Sequence, residues 1–390
     1  MKSLSKFALL SIGFITLVGS QVLAEETNYD AIADSMVNGS LAIQPGELVV
    51  IGGSPAEVDL MAALQVAVSK AGGQPLITLN IPEANKRAVM ETPIEHMSQL
   101  PVQGLFLYKM TDVFINVSSV QEPGLFADVP EERLASFRQA GVPLTRVFNN
   151  MRYRSATLGQ TGGIPTGAYA ESVGADPAEL QEIFWQAVAV TPGELIPTAS
   201  KIVSLMKPDA EIRITSKAGT DLTLKVDHTP ARINVGRTSD VQAPTGSANV
   251  WLPAGEAYGT VRDASGTLVV PWTSFRGVPI ENLKMTFKNG EVTKMSADSN
   301  QAKLEEYFAA SSSKLKFASV IDFGLNPQSR SPKGTNYYSW EMGGMLTLGL
   351  GGNLWAGGDN DSDGTLAFHL PGTTVSIGGK NVVKNGELEL

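Results

Sequence analysis

"LVVIGGSPAEVDLMAALQVAVSKAGGQPLITLNI" occupies residues 48–81, and its reading decides the fold of the first half of the chain. Residues 48–51 form a continuous apolar run, the pattern of a strand buried on both faces. Gly52-Gly53-Ser54-Pro55 turns the chain, with Ser54 placed to cap a helix and Pro55 at its first position. Val58, Met61, Ala62, Leu64, Gln65 and Val68 then recur at a roughly helical period. Gly72-Gly73 ends that helix, and 75–81 reads as the next strand. Strand, helix, strand at this spacing implies a parallel pair joined by a right-handed crossover. The glycines at 52 and 53 lack the full G-x-G-x-x-G pattern and its acidic partner, so they read as a tight turn and not as a nucleotide site.

The same alternation continues outward. "DVFINVSS" (112–119) is a second buried strand and "PEERLASFRQA" (130–140) a helix. "DPAELQEIFWQAVAV" (176–190) and "PGELIPTASKIVSLMK" (192–207) read as helices, the latter limited or kinked by Pro197. From Glu211 the texture changes. "EIRITSKAGTDLTLKVDH" alternates around Ala218-Gly219, which predicts a hairpin. Asn289-Gly290 is a two-residue turn signal. A helix at 299–312 interrupts before strand-like pieces resume. The expected fold is therefore an α/β N-terminal domain (25–207) with an open, mostly parallel sheet. A strand-rich α+β C-terminal domain (208–390) follows.

The first 24 residues read differently. Lys2 and Lys6 form a basic start, residues 7–18 a short uncharged apolar run, and Val22-Leu23-Ala24 a cleavage site. That is the pattern of a secretory signal peptide, with an uncleaved anchor as its rival, and it predicts an exported, periplasmic or secreted protein. No later stretch is long and apolar enough to span a bilayer. The chain has no cysteine, which excludes disulfides, thiolate ligands and cysteine nucleophiles. Its formal charge of −9, about −11 after loss of Lys2 and Lys6, disfavours nucleic acid as a partner.

Chemistry-bearing residues concentrate in three stretches. "NVWLPAGEAYGTV" (249–261) carries Glu256 behind a Pro-Ala-Gly corner. "ASVIDFGLNP" (318–327) interrupts an apolar strand with Asp322, which is costly to bury unless paired or metal-bound. "SWEMGGMLTLGLGGNLWAGGDNDSDGTLAFHLPG" (339–372) holds Glu341, three aspartates and His369. Carboxylates and imidazole are the ligands of hydrolytic zinc, cobalt or manganese sites. On composition alone, a turn glutamate, an edge-strand aspartate, a solvated glutamate and a surface histidine describe these four residues better. "DNDSDG" (359–364) opens like a calcium loop, but Leu370 stands where the bidentate glutamate belongs, so a full EF-hand is excluded. A weak site on Asp359, Asp361 and Asp363 or a solvated turn remain. No Gly-x-Ser-x-Gly elbow occurs.

The order of the pieces resembles the aminopeptidase T/aminopeptidase S family of metallopeptidases. The resemblance runs from "QPGELVVIGG" through "GIPTGAYAESVGADPAELQEIF", "EIRITSKAGTDLTL", "NVWLPAGEAYGTV" and "IDFGLNP" to "GGKNVVKNGEL". It implies a metal-dependent aminopeptidase acting on peptides, a two-metal site in the C-terminal domain and a homodimer. By resemblance Glu256 is a ligand, and Asp322 stands where the family has a glutamate. Glu341 matches an acidic residue and is the candidate general base or acid. His369 matches the histidine of the family's His-x-Asp pair. Thr347 falls where the family has another histidine, and Pro371 where it has the aspartate. The implied centre is one or two ions of zinc, cobalt or manganese on Glu256, Asp322 and His369, with Asp359, Asp361 or Asp363 as weaker substitutes. The missing ligands motivate a rival: a catalytically silent member that binds peptides or acts structurally in the envelope.

Overall fold

The computed structural model describes residues 27–151, 153–160, 162–241 and 248–390, so the expected signal peptide lies outside the described residues. The opening stretch folds as its pattern predicts. The Leu48–Gly53 strand leads into a capping box, Ser54 with Glu57, and then the Val58–Lys70 helix. The Gln74–Leu79 strand returns parallel to the first, with Leu48 opposite Gln74. The Val113–Val117 and Arg154–Leu158 strands extend the sheet, all parallel. The predicted helices also form, at Glu131–Asn150, Pro177–Val188 and Pro192–Leu205, the last keeping Pro197 inside it. The sequence reading assigned no helix at Pro82–Glu91, which is mostly polar, or at Val102–Met110, which is apolar without a helical period.

The second half is an antiparallel system built around one 20-residue strand, Glu256–Phe275. It pairs with Asp221–Val226, Arg232–Asn234, Val278–Lys288 and Ala318–Gly324. Leu346–Gly351 and Thr365–Leu370 continue the sheet beyond Ala318–Gly324. The predicted hairpins at Gly219 and Asn289-Gly290 are present, and so is the late helix, Gln301–Ala310. One segment departs from the expected division at residue 208. The Ala248–Leu252 strand runs back to the first half and completes the parallel sheet beside Arg154–Leu158. The chain therefore steps from one sheet into the other across Pro253-Ala254-Gly255, and Glu256 is the first residue after the step. A single apolar core joins both halves, from Val49 and Ile51 to Leu346 and Leu348.

Candidate metal centre

The site begins at that corner. Gly255 has φ +134°, and a Cβ there would meet the Cβ of Asn326 at 2.7 Å and its amide nitrogen at 2.8 Å, so only glycine fits. Asn326, from the "DFGLNP" stretch, is fully buried and ties the corner down. Its side chain donates to the carbonyls of Ala254 at 2.6 Å and Ala187 at 2.9 Å. The corner turns Glu256 inward, to 3% exposure, where it accepts hydrogen bonds from Asn234 and Gln160. Asn234 also donates to the Trp251 carbonyl at 2.8 Å and thereby couples the two sheets at the carboxylate.

Strand register supplies the rest. Arg232, Tyr258, Asp322, Thr347 and His369 stand directly opposite one another across five antiparallel strands. Directly opposed residues share a face, and Glu256, two positions before Tyr258, shares it too. Asp322 is 1% exposed, and its Oδ1 has no hydrogen-bond partner. Burial pushes Glu256 up to about 8, with the Glu341 charge adding to the rise and the Asn234 and Gln160 hydrogen bonds opposing it. Burial, then the charges of Glu256 and Glu341, hold Asp322 well above the usual carboxylate range. Thr347 Oγ1 lies 2.8 Å from His369 Nδ1, and burial lowers the imidazole to about 4.

Glu256 and Asp322 open on one cavity of about 450 Å³ between the sheets. The other expected residues stand elsewhere. His369 faces an adjoining cleft of about 770 Å³, with Trp340 lining both spaces. Glu341 lines neither cavity, and its oxygens accept from Ser329 at 2.8 Å and from Ser339. Burial raises its pKa as well. Asp361 is paired with Arg146 and Lys314, which lower it to about 2, and Asp363 accepts the Ser312 amide at 2.8 Å. Asn234, Gln160 and the aromatic walls of the cavity carry no sequence motif. Only the strand pairing brings them together.

The donor set decides which metal centre fits. A buried aspartate oxygen without a partner, beside a second buried carboxylate, fits a single divalent cation as two oxygen donors. A two-ion centre does not fit. Among the described residues no three His, Asp or Glu side chains converge in a group that could hold a metal. Beside Asp322 in the cross-strand row Thr347 offers a hydroxyl, a weak donor beside an imidazole.

The sequence matches the family model described as thermophilic metalloprotease (M29) over residues 25–313. The match includes Glu256 and ends before Asp322. No curated protein matches the chain. Two of the solved structures that share its fold are similar along nearly their whole length. AmpT from Thermus thermophilus aligns with a TM-score of 0.68 at 14% identity, covering 93% of this chain and 99% of that one. A 2,5-dihydroxypyridine dioxygenase from Pseudomonas putida KT2440 aligns with a TM-score of 0.59, also at 14% identity, covering 93% and 96%. At that identity the likeness is one of architecture and does not by itself choose a reaction.

Proposed function

The chain belongs to the thermophilic metalloprotease family (M29), and from that premise we propose that it is an exported, aminopeptidase-like hydrolase working on the N-terminal end of peptides at the Glu256–Asp322 cavity. The family is one of metal-dependent peptidases, so membership sets the class as hydrolase and the substrate as peptide. The observation that carries the finer reading is the unpartnered Asp322 Oδ1 facing the same cavity as Glu256. In this reading the two carboxylates hold one divalent ion. When bound, such an ion polarises a scissile carbonyl and acidifies a water.

The chain's own residues have separate tasks. Asn234 and Gln160 fix the Glu256 carboxylate through hydrogen bonds. The corner at Gly255 and Asn326 sets the approach of the two carboxylates. The surrounding aromatic residues exclude water, which strengthens electrostatics inside the cavity. Glu341 would have to break its bonds to Ser329 and Ser339 before moving a proton, so its role here is to hold the 329–341 loop.

The test is metal content with turnover. The chain from residue 25 is loaded with Zn²⁺, Co²⁺ or Mn²⁺, freed of excess ion and assayed for metal per chain and for release of N-terminal residues from a peptide panel. About one ion per chain and release of residues, both lost in Glu256→Ala, are expected. Turnover that survives Glu256→Ala would overturn the site. Retained metal without turnover on any peptide would favour the silent, peptide-binding member.

Export rests on the 1–24 pattern, and a mature N-terminus at residue 25 in the exported fraction is its test. No helix among the described residues is long and apolar enough to cross a membrane. The homodimer expectation is supported by the apolar edge strand Gln74–Leu79, where Leu79 is 54% exposed. Light scattering on the purified chain checks it.

A further inference from the structure

We propose that the cavity walled by Trp251, Tyr258, Trp340 and Trp355 binds an organic ammonium group, with Glu256 and Asp322 as its counter-charge. The four rings all line the cavity that holds the two carboxylates. The Trp355 ring stands 5.4 Å from Trp251 at 83°, 5.4 Å from Tyr258 at 36° and 6.2 Å from Trp340 at 89°. Trp355 thus stands nearly perpendicular to Trp251 and Trp340 and tilted to Tyr258, so the four rings wall the cavity from more than one direction. The negative faces of such rings attract ammonium groups, above all those of tryptophan.

The acid end strengthens the case. Asp322 Oδ1 is buried without a partner, and none of the described residues lining the cavity is Lys, Arg or His. The Arg232 guanidinium, opposite Tyr258 in the cross-strand row, is held by the Trp355 carbonyl at 3.1 Å and by the Tyr258 hydroxyl, and it supports the aromatic wall instead of filling the cavity.

The chemistry selects the ligand. A neutral apolar group would leave two buried carboxylates uncompensated. A bare ion on the two oxygens would leave the aromatic part of the cavity unfilled. An ammonium group uses both features: its charge meets the carboxylates, and its alkyl substituents occupy the aromatic volume. A space of about 450 Å³ holds more than an ion. The inference stands on the cavity and does not need hydrolysis. The ammonium and the divalent ion of the hydrolytic reading draw on the same two carboxylates, so in one molecule they compete for the cavity. The ammonium chemistry is offered by a basic side chain and by a free quaternary amine.

Tryptophan fluorescence of the metal-free chain in EDTA tests the proposal. The probes are tetramethylammonium, a neutral tert-butyl alcohol of similar bulk (3,3-dimethyl-1-butanol), and Nα-acetyl-lysinamide, whose only charge is on the side chain. Saturable binding of a cation at least about tenfold tighter than the neutral probe is expected. Glu256→Gln and Trp355→Leu should each weaken it about tenfold or more, while Trp355→Phe, which keeps a ring face, retains binding and shows that the wall still folds. Binding of the acetyl-lysinamide assigns the site to basic side chains, and binding of tetramethylammonium alone assigns it to free quaternary amines. Equal binding of the neutral probe, affinity indifferent to both variants, or no binding of either cation overturns the proposal. Cation binding without turnover leaves it standing and sinks the hydrolytic reading. Turnover without cation binding does the reverse.

Discussion

Replacing Glu256 by glutamine should make the metal-free protein more stable at pH 8 and remove most of its pH dependence between 6.5 and 8.5. Glu256 is 3% exposed and carries a pKa raised from 4.5 to about 8. Between those values the folded chain holds a proton that the unfolded chain has released. Stability from this group is complete below about 4.5 and is lost as pH rises through 8. The gap from 4.5 to about 8 sets a ceiling of about 5 kcal/mol, at roughly 1.4 kcal/mol per pH unit. Only the part of that gap from pH 6.5 to about 8 lies in the window, so a loss of about 2 kcal/mol from this group is expected for the wild type. Asp322 and Glu341 are displaced in the same direction. His369 is displaced downward from 6.5 to about 4, so it acts only below the chosen window, where falling pH removes stability. Urea unfolding in EDTA at pH 6.5, 7.5 and 8.5 measures the slope for wild type and Glu256→Gln. A wild-type stability that is flat or rises across this window would refute the buried-carboxylate reasoning. So would a mutant with an unchanged slope. Adding Zn²⁺ or Co²⁺ should flatten the wild-type slope, because a cation stabilises the ionised pair.

Three further outcomes follow from neighbouring contacts. Gly255→Ala forces a Cβ to 2.7 Å from Asn326 at φ +134° and should cost about 2 kcal/mol or more, read as a lower urea midpoint. Thr347→His places an imidazole opposite Asp322 in the cross-strand row and should increase Zn²⁺ retention after gel filtration, with unchanged retention counting against the register argument. Calcium should leave the melting temperature unchanged, because Asp361 is held by Arg146 and Lys314 and Asp363 by the Ser312 amide; a rise of several degrees at millimolar calcium would restore the acidic-loop site.

The parallel half of the fold was legible because its signals are local. A buried apolar strand, a Ser54 cap and a glycine stop lie within one 34-residue stretch, and each constrains the next. The Ala248–Leu252 strand was not placed, because nothing in five apolar-leaning residues says which sheet they join. The candidate site was legible as residue types and only in part as a site. Glu256 and Asp322 could be picked out as acids in apolar settings, and they do share a cavity. That His369 faces a different space, that Glu341 is bonded to two serines, and that four aromatic rings surround the carboxylates all depend on pairings between strands distant in sequence. Trp251, Tyr258, Trp340 and Trp355 are spread over a hundred positions, and ordinary core packing explains each of them singly as well as a binding wall does.

The cross-strand row is where the chemistry of this chain was set. Tyr258, Asp322, Thr347 and His369 occupy successive strands at one level, so exchanging a single side chain at that level changes the donor set without moving the backbone. Threonine at 347 binds the imidazole of 369 through its own hydroxyl and leaves Asp322 Oδ1 without a partner. An uncompensated buried carboxylate is unstable as an anion. It must take a proton, a metal or another cation, and burial has already moved both Asp322 and Glu256 toward the proton. A ligand that supplies positive charge therefore competes with protons for the same two groups, and its affinity should rise with pH through the range where stability of the free protein falls. The two slopes are one linkage seen from opposite sides, and opposite signs in the same buffer would show that the group that destabilises the free fold is the group that binds.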